Sequence, residues 1–327
     1  MSGSTWWWPA TRAATSPAPT SATTGRASRS AAASSRPPTG NPDDRRQRER
    51  AHVIITDAQA HIWDPETPDR PWPPGGRDFA HGDQFSADEL LAEMAAAGVD
   101  ATVLVPPSFE GDRNDTCLAA ARAHPDKFRV MGRITLTDQA SRGKLATWRD
   151  EAGMLGIRVT FSRGPAADWL TDGTADWMWP EAEAAGVPVM VFAPGGLESV
   201  DRIAARHPNL RLTLDHLALR TDVRDAGMDP VLDDLVKLAK YDNVAVKATC
   251  LPSNVTEGYP CPSLHDRIRR VVDAFEPRRV FWGSDLTRLS CTYDEVRRLF
   301  VDELGFLSPT DLGWVMGRGV REWLGWQ

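Results

Sequence analysis

The sequence has few cysteines and no long apolar segment. Its four cysteines, Cys117, Cys250, Cys261 and Cys291, show no CxxC spacing, and a chain of 327 residues needs no disulfide bond to hold its core together. No run approaches the roughly 18 to 20 apolar residues of a membrane span. We therefore expect a cytoplasmic protein with reduced thiols and no membrane partner.

The first fifty residues have hardly any large aliphatic side chain. They consist mainly of Arg, Ser, Thr, Ala, Pro and Gly, so we expect residues 1–50 to form a disordered extension. The short run Trp6-Trp7-Trp8, followed by Pro9, falls below the about 7 to 15 apolar residues of a secretory signal. Two interpretations stay open: a genuine flexible tail, or a native protein that begins near Val53.

The charge balance argues against a nucleic-acid partner. The net charge is −7, and because residues 1–50 contain eight Arg but only three acidic residues, the remainder is more acidic still. An acidic chain repels a polyanion. We expect a small-molecule partner, and the sequence leaves homo-oligomerisation open.

After Val53, short apolar runs alternate with helical patterns. Predicted strands begin near residue 53 and span 101–105, 128–134, 156–161, 187–192, 210–214, 244–249 and 280–282. Predicted helices cover 86–94, 115–123, 177–185, 197–206, 230–239 and 263–275. This alternation is typical of a parallel sheet with crossover helices.

The number of strands decides the fold class. Eight strands with eight crossovers over residues 53–327 predict an α/β protein, a (β/α)8 TIM barrel with the disordered N-terminal extension. A doubly wound open sheet is the competing architecture. It is disfavoured because no glycine-rich phosphate loop follows the first strand.

In such a barrel the catalytic groups lie at the carboxyl ends of the strands. The polar residues that the predicted strand ends present are Gln59, His61, Ser108, Arg133, Arg158, Asp215, His216, Lys247 and Asp285. The fifth strand ends at Phe192 and offers nothing ionisable. Trp63 follows the first strand and is a candidate for an aromatic pocket wall, although tryptophan more often serves packing.

Six motifs at these strand ends resemble those of one family. They are Asp57-Ala-Gln-Ala-His-Ile-Trp-Asp-Pro65, Pro107-Ser108, Gly156-Ile-Arg158, Leu214-Asp-His216, Val246-Lys247 and Trp282-Gly-Ser-Asp285. In this order they resemble the amidohydrolase-2 group of the amidohydrolase superfamily, the branch with 2-pyrone-4,6-dicarboxylate hydrolase and fuconolactonase-like lactonases. The resemblance covers all of residues 53–327.

The resemblance implies a metal site that this chain only partly keeps. The family's strand-eight aspartate falls on Asp285, its strand-six histidine on His216 and its second strand-one histidine on His61. Gln59 stands where the first strand-one histidine is expected, and Phe192 where the strand-five histidine is expected. An amide or a phenyl ring replaces these ligands poorly. We expect no metal, with Zn or Mn held by His61, His216 and Asp285 as the alternative.

Without a metal, the resemblance implies a lactone hydrolase. Asp285 takes the proton from water, and His61 and His216 polarise the carbonyl. Substrate-binding residues are then Gln59, Ser108, Arg133, Arg158, Lys247 and Trp63, with the two arginines on a substrate carboxylate. Each has a structural alternative: Asp285 as a helix cap, His216 as a core histidine paired with Asp215, and the arginines as ion-pair partners within the wall.

Two other functions stay open at this point. One is a metal-dependent amidohydrolase or non-oxidative decarboxylase of the same superfamily. The other is a degenerate barrel that binds a small molecule without turning it over. Metal analysis separates the first from a metal-free hydrolase, and a lactone screen with product detection separates the second.

Removal of residues 1–50 should leave folding and activity intact, because this segment lacks the apolar residues that could dock on a barrel. The measurement is the melting temperature of the truncated protein beside that of the full chain. Aggregation, or a large fall in melting temperature, would show that the segment contributes to the fold.

Overall fold

Eight parallel strands follow one another around a barrel in the computed structural model, which describes residues 54–162 and 164–326. The strands are β1 (Thr56–Ala60), β2 (Ala101–Leu104), β3 (Phe128–Gly132), β4 (Met154–Thr160), β5 (Val189–Phe192), β6 (Leu212–Leu214), β7 (Val244–Thr249) and β8 (Val280–Gly283). Each pairs with the next along the chain, in the order β1 to β8. The predicted TIM barrel is confirmed. The expected disorder of residues 1–50, and the start at Val53, lie outside the described residues.

The first and last strands meet at a seam built partly from side chains. The backbone N–H of Asp285 donates to the Gln59 carbonyl over 2.9 Å. The buried Asp57 carboxylate accepts hydrogen bonds from the Ser284 backbone N–H at 2.9 Å, from the Ser284 hydroxyl and from the Tyr293 hydroxyl at 2.7 Å. These bonds hold the residues after β8 against β1, and so determine where Asp285 lies relative to Gln59.

The six helices predicted from the sequence are present, and three further helices follow β8. The helices are α1 (Ala87–Ala97), α2 (Asp115–Ala123), α3 (Met178–Ala185), α4 (Leu197–Arg206), α5 (Met228–Leu235), α6 (Pro262–Phe275), α7 (Tyr293–Arg298), α8 (Pro309–Gly313) and α9 (Gly319–Leu324). The expected capping box of Ser86 and Glu89 starts α1, and left-handed Gly98 ends it. The crossover from β3 to β4 instead has two 3-10 helices, Gln139–Ser141 and Lys144–Asp150, separated by the left-handed Gly143.

Apolar side chains fill the barrel end opposite the strand carboxyl ends. Along β2, Val103 belongs to the inner cluster whereas Leu104 belongs to the layer between sheet and helices, as alternation along a strand requires. The inner cluster also contains Phe281, together with Val320 and Leu324 of α9. The interior is therefore packed with mainly apolar side chains at this end, and the ionisable residues that line the cavity lie at the other end.

Among the helices of the described residues, none combines the length and the hydrophobicity that a bilayer-spanning segment needs.

Substitution of Gly283 should disrupt the seam. A Cβ atom built there would lie 2.6 Å from Thr249 Cγ2, 2.8 Å from Asp57 Oδ1 and 3.0 Å from the Ala58 nitrogen. Gly283→Ala should therefore destabilise the protein by about 1 to 3 kcal/mol, the usual effect of overpacking. Denaturant unfolding measures this loss.

Gly313→Ala is the matched control, because a Cβ at Gly313 meets nothing within 4 Å and alanine favours the helix. Equal stability of the two variants would contradict a tightly packed seam.

Candidate active site

A cavity of about 800 Å³ opens at the carboxyl ends of the strands. The predicted site residues that line it are Gln59, His61, Ser108, Arg133, Arg158, His216 and Asp285. Seven residues from six strand ends therefore converge on one space. Two other predicted site residues lie behind its surface: Lys247 is fully buried, and Trp63 packs against Phe85 and Phe109 at ring distances of 5.7 and 5.4 Å.

The Asp285 carboxylate lies at the bottom of this cavity and is 1% exposed. Its Oδ1 is 3.0 Å from His61 Nε2, and its Oδ2 is 3.8 Å from both His216 Nε2 and Arg288 Nε. Burial raises the pKa of Asp285, but His61, His216 and Arg288 outweigh burial and hold that pKa well below its usual range. Asp285 occupies the N-cap position of the 3-10 turn Leu286–Arg288, but its side chain makes no capping hydrogen bond there.

The two histidines are held by their Nδ1 atoms, and their Nε2 atoms face Asp285. His61 Nδ1 donates to the Val105 carbonyl over 2.6 Å, and His216 Nδ1 lies 2.7 Å from the Thr249 hydroxyl. His216 has a left-handed backbone with φ 53°. Burial lowers the pKa of His216 to about 4, so this imidazole is neutral near pH 7.

A buried ion-pair network lies behind the histidines. Asp215 Oδ1 is 2.8 Å from Lys247 Nζ, and Asp215 Oδ2 accepts a hydrogen bond of 2.9 Å from Arg158 Nε. Burial raises the pKa of Asp215, but Lys247 and Arg158 outweigh burial and lower that pKa to about 2. The carboxylate of Asp215 is thus engaged by these two cations, and His216 Nδ1 is held by Thr249 and not, as in the structural alternative, by Asp215.

Gln59 connects this network to the histidines. Lys247 Nζ donates to the Gln59 side-chain oxygen. The Gln59 amide nitrogen lies 3.3 Å from His61 Nε2 and 3.5 Å from His216 Nε2. An ammonium group has no acceptor, so Lys247 determines that the oxygen of Gln59 faces inward and its NH2 group faces the histidines.

Two arginines form a cationic wall beside the histidines. Arg158 Nη1 donates to the Thr160 hydroxyl over 2.5 Å, and Arg133 Nη2 lies 3.5 Å from the same oxygen. Burial lowers the pKa of Arg133 to about 10, with a contribution from Arg158, so Arg133 stays charged at neutral pH. Its nearest carboxylate oxygen, on Asp112, is 3.7 Å from Nε. Arg133 therefore keeps much of its capacity to bind an anion.

Sequence reasoning missed three residues that support the site: Thr249 against His216, and Ser284 with Tyr293 against Asp57. Asp57 shares a strand face with Gln59 and His61 in the sequence, but its carboxylate lies in the seam. The apolar run of β7 ends at Thr249, and Ser284 lies in the motif that ends at Asp285, but neither signal indicates a contact. Ser284 and Tyr293 are 227 and 236 residues away from Asp57, a separation that no local pattern reports.

The donor atoms do not fit a divalent metal. His61, His216 and Asp285 converge, but the atom of Gln59 that faces them is an amide nitrogen, whose lone pair is delocalised and whose hydrogens point outward. The Gln59 oxygen, which could serve as a ligand, is bound by Lys247. The Phe192 ring contacts His216 edge-on at 5.2 Å, where another ligand was expected. Within the described residues, no group of three or more His, Cys, Asp or Glu side chains is arranged to hold a metal ion.

Comparison with known proteins gives a consistent result. A sequence model of the amidohydrolase family matches residues 56–317. The fold is similar to that of an amidohydrolase from Burkholderia multivorans with bound zinc, at TM-score 0.70 and 22% identity over 83% of this chain and 99% of that chain. No curated protein matches the chain significantly.

Two further crystal structures have the same fold. One is a probable 2-pyrone-4,6-dicarboxylic acid hydrolase from Acinetobacter baumannii with bound citric acid, at TM-score 0.68 and 17% identity over 84% of this chain and 100% of that chain. The other is a 5-carboxyvanillate decarboxylase from Sphingomonas paucimobilis, at TM-score 0.59 and 15% identity over 84% and 99%. At these identities the likeness shows the fold alone.

Acidification should destabilise the protein through His216. The pKa of His216 is about 4 in the folded protein, against the ordinary histidine pKa of 6.5, so between these values the unfolded chain binds a proton that the folded protein does not. The contribution is fully present above the unfolded pKa and is lost as the pH falls. Relative to His216→Asn, the wild type should lose about 2 kcal/mol of unfolding free energy between about pH 7 and pH 5.

Glu110 provides a control, because its protonation should change the free energy of unfolding in the opposite direction. Burial raises its pKa from 4.5 to about 7, so the folded protein binds a proton that the unfolded chain does not, and this contribution grows on acidification. Denaturant titrations of wild type, His216→Asn and Glu110→Gln at both pH values separate the two groups. A pH-independent difference between wild type and His216→Asn would contradict a neutral, buried His216.

Proposed function

Because the chain belongs to the amidohydrolase family, we propose that it is a hydrolase that opens a lactone or similar cyclic ester of a small, carboxylated substrate, without a metal. The observation that carries this proposal is the ionised Asp285 carboxylate, buried between two imidazoles in a cavity that Arg133 and Arg158 also line. A lactone carbonyl is more electrophilic than an amide, so a positioned base and N–H donors suffice for its hydrolysis.

In this proposal Asp285 takes the proton from the attacking water and delivers it to the leaving ring oxygen. His61 and His216 polarise the carbonyl. His61 already donates through Nδ1 to Val105, so it donates to the carbonyl from Nε2 only with both ring nitrogens protonated, beside the Asp285 carboxylate. With the Thr249 hydroxyl as donor to Nδ1, the single ring proton of neutral His216 lies on Nε2. That N–H and the Gln59 NH2 group, whose nitrogen is 3.5 Å from Nε2, then both donate to the substrate oxygen and not to each other.

The cavity charge supports an anionic substrate. The arginines that line it are Arg133, Arg158, Arg220, Arg224 and Arg288, and the aspartates are Asp112, Asp222 and Asp285. We propose that Arg133 and Arg158 bind the substrate carboxylate, with Ser108 and the Gln59 amide as further donors. Lys247 and Trp63 support this surface from behind.

The decisive experiment for the function is a screen of carboxylated lactones with product detection. Ring opening by purified protein is the expected result. Release of carbon dioxide from a carboxylated aromatic substrate would indicate a decarboxylase, and binding without conversion would indicate a degenerate barrel.

The purified protein should contain less than stoichiometric zinc or manganese and should keep its activity in the presence of chelators, since Gln59 and Phe192 replace two ligands. Elemental analysis measures the content. One tightly held metal ion per chain, with activity lost on its removal, would favour the metal-dependent alternative.

Asp285→Asn keeps the size of the side chain but removes the proton acceptor. Turnover should fall about 100-fold to 10,000-fold, as is typical of lost general-base catalysis, while substrate binding changes little. The amide is neutral and needs no charge compensation when buried, so the variant should stay folded. Turnover and melting temperature are measured on the same preparation.

Asp222→Asn is the matched control, because this carboxylate also lines the cavity but is exposed and paired with Arg220. Its rate should stay near that of the wild type. A folded Asp285→Asn protein with less than about a tenfold loss of rate would remove Asp285 from the mechanism.

A further inference from the structure

The Gln59 amide lies beside the Nε2 atoms of both site imidazoles. Two Nε2 atoms and one carboxylate converge there, and these are groups that a divalent cation prefers. We propose that Gln59 and Lys247 together take the place of a metal ion: the amide of Gln59 fills its position, and the ammonium of Lys247 supplies its positive charge. This inference deepens the proposed function and rests on it for its catalytic meaning.

The Gln59 amide presents its nitrogen, and not its oxygen, to the two imidazoles. Its nitrogen lies 3.3 and 3.5 Å from the two Nε2 atoms, against about 2.0 to 2.1 Å for a zinc ion bound to imidazole, so its NH2 group faces the point that a shared cation would occupy. To offer its oxygen to a cation, the amide would have to turn over. That rotation would place its NH2 group against the ammonium of Lys247, donor against donor, within a fully buried site.

Lys247 fixes this orientation of Gln59 from within the barrel. Its side chain is fully buried, and its Nζ lies 2.8 Å from Asp215 Oδ1 and 3.3 Å from Met190 Sδ. Asp215 is in turn bound by Arg158 at 2.9 Å. Lys247 therefore cannot withdraw toward solvent to admit another cation, and the orientation of Gln59 is fixed from behind.

Positive groups already surround the negative charge of Asp285. The Asp285 carboxylate is buried and already has His61 at 3.0 Å and Arg288 at 3.8 Å, with Lys247 behind Gln59. A divalent ion placed here would meet positive groups on several sides. The site therefore offers a substrate oxygen the N–H donors of Gln59 and the histidines in place of a Lewis acid.

Zinc affinity tests the inference without any substrate. Metal-stripped wild type, Gln59→His and Gln59→Leu are titrated with zinc alone in a calorimeter, at a pH of about 7.5, where a histidine with an ordinary pKa is neutral. Gln59→His adds an imidazole ligand and removes the amide, whereas Gln59→Leu removes the amide and adds no ligand. Gln59→His should bind zinc at least about tenfold more tightly than either of the others, as is expected from a third imidazole ligand.

Lys247→Met is the second variant, in case Gln59→His does not fold. Loss of the ammonium frees the Gln59 oxygen and removes a positive charge, so zinc affinity should rise above that of wild type here too. Circular dichroism and melting temperature establish which variants are folded.

One zinc ion per wild-type chain, bound as tightly as by Gln59→His, would overturn the inference. So would folded Gln59→His and Lys247→Met proteins with no gain in affinity. Because zinc affinity is the readout, a lactone screen without any turnover would count against the proposed function and would leave this result interpretable.

Discussion

The ion pair between Asp215 and Lys247, buried inside the barrel, determines the arrangement of the groups around it. Moving two charges out of water is costly, and the cost is offset only when hydrogen bonds of good geometry satisfy both groups. Here Arg158 takes the second carboxylate oxygen, and the side-chain oxygen of Gln59 accepts from the ammonium. The two groups that face the cavity, the Arg158 guanidinium and the Gln59 NH2, are therefore held in place by a pair that lies behind the cavity surface.

A second constraint acts from the other side of the site. Asp57 joins the end of β8 to β1 through Ser284 and Tyr293, and the backbone N–H of Asp285 bonds to Gln59. Asp285 consequently has the left-handed backbone, with φ 52°, that directs its carboxylate toward His61. Two buried carboxylates with structural roles, Asp57 and Asp215, thus lie behind the cavity, and a third, Asp285, faces it. Sequence position alone does not separate these roles.

Residues whose signals are local could be predicted from the sequence. The limits of β7, α2 and α4 follow from apolar runs and helix stops, and the seven predicted residues that line the cavity lie at strand ends. Residue positions that depend on tertiary contacts could not be predicted from the sequence. Trp63 does not follow the alternating pattern of β1, because its backbone pairs with that of Phe85 outside the strands. Lys247 lies behind Gln59 because its ammonium group is paired with Asp215. The polar crossover between β3 and β4 lacks an α-helix although the count of crossovers suggested one.

Oxygen-isotope labelling tests metal-free hydrolysis at this site most directly. Chelator-treated protein is incubated with a carboxylated lactone in water enriched in oxygen-18, and the mass of the product is measured by mass spectrometry. The account predicts ring opening with one labelled oxygen in the new carboxylate for each turnover, at a rate that added zinc does not raise. Ring opening only after zinc is restored, or loss of carbon dioxide with no label incorporated, would contradict it.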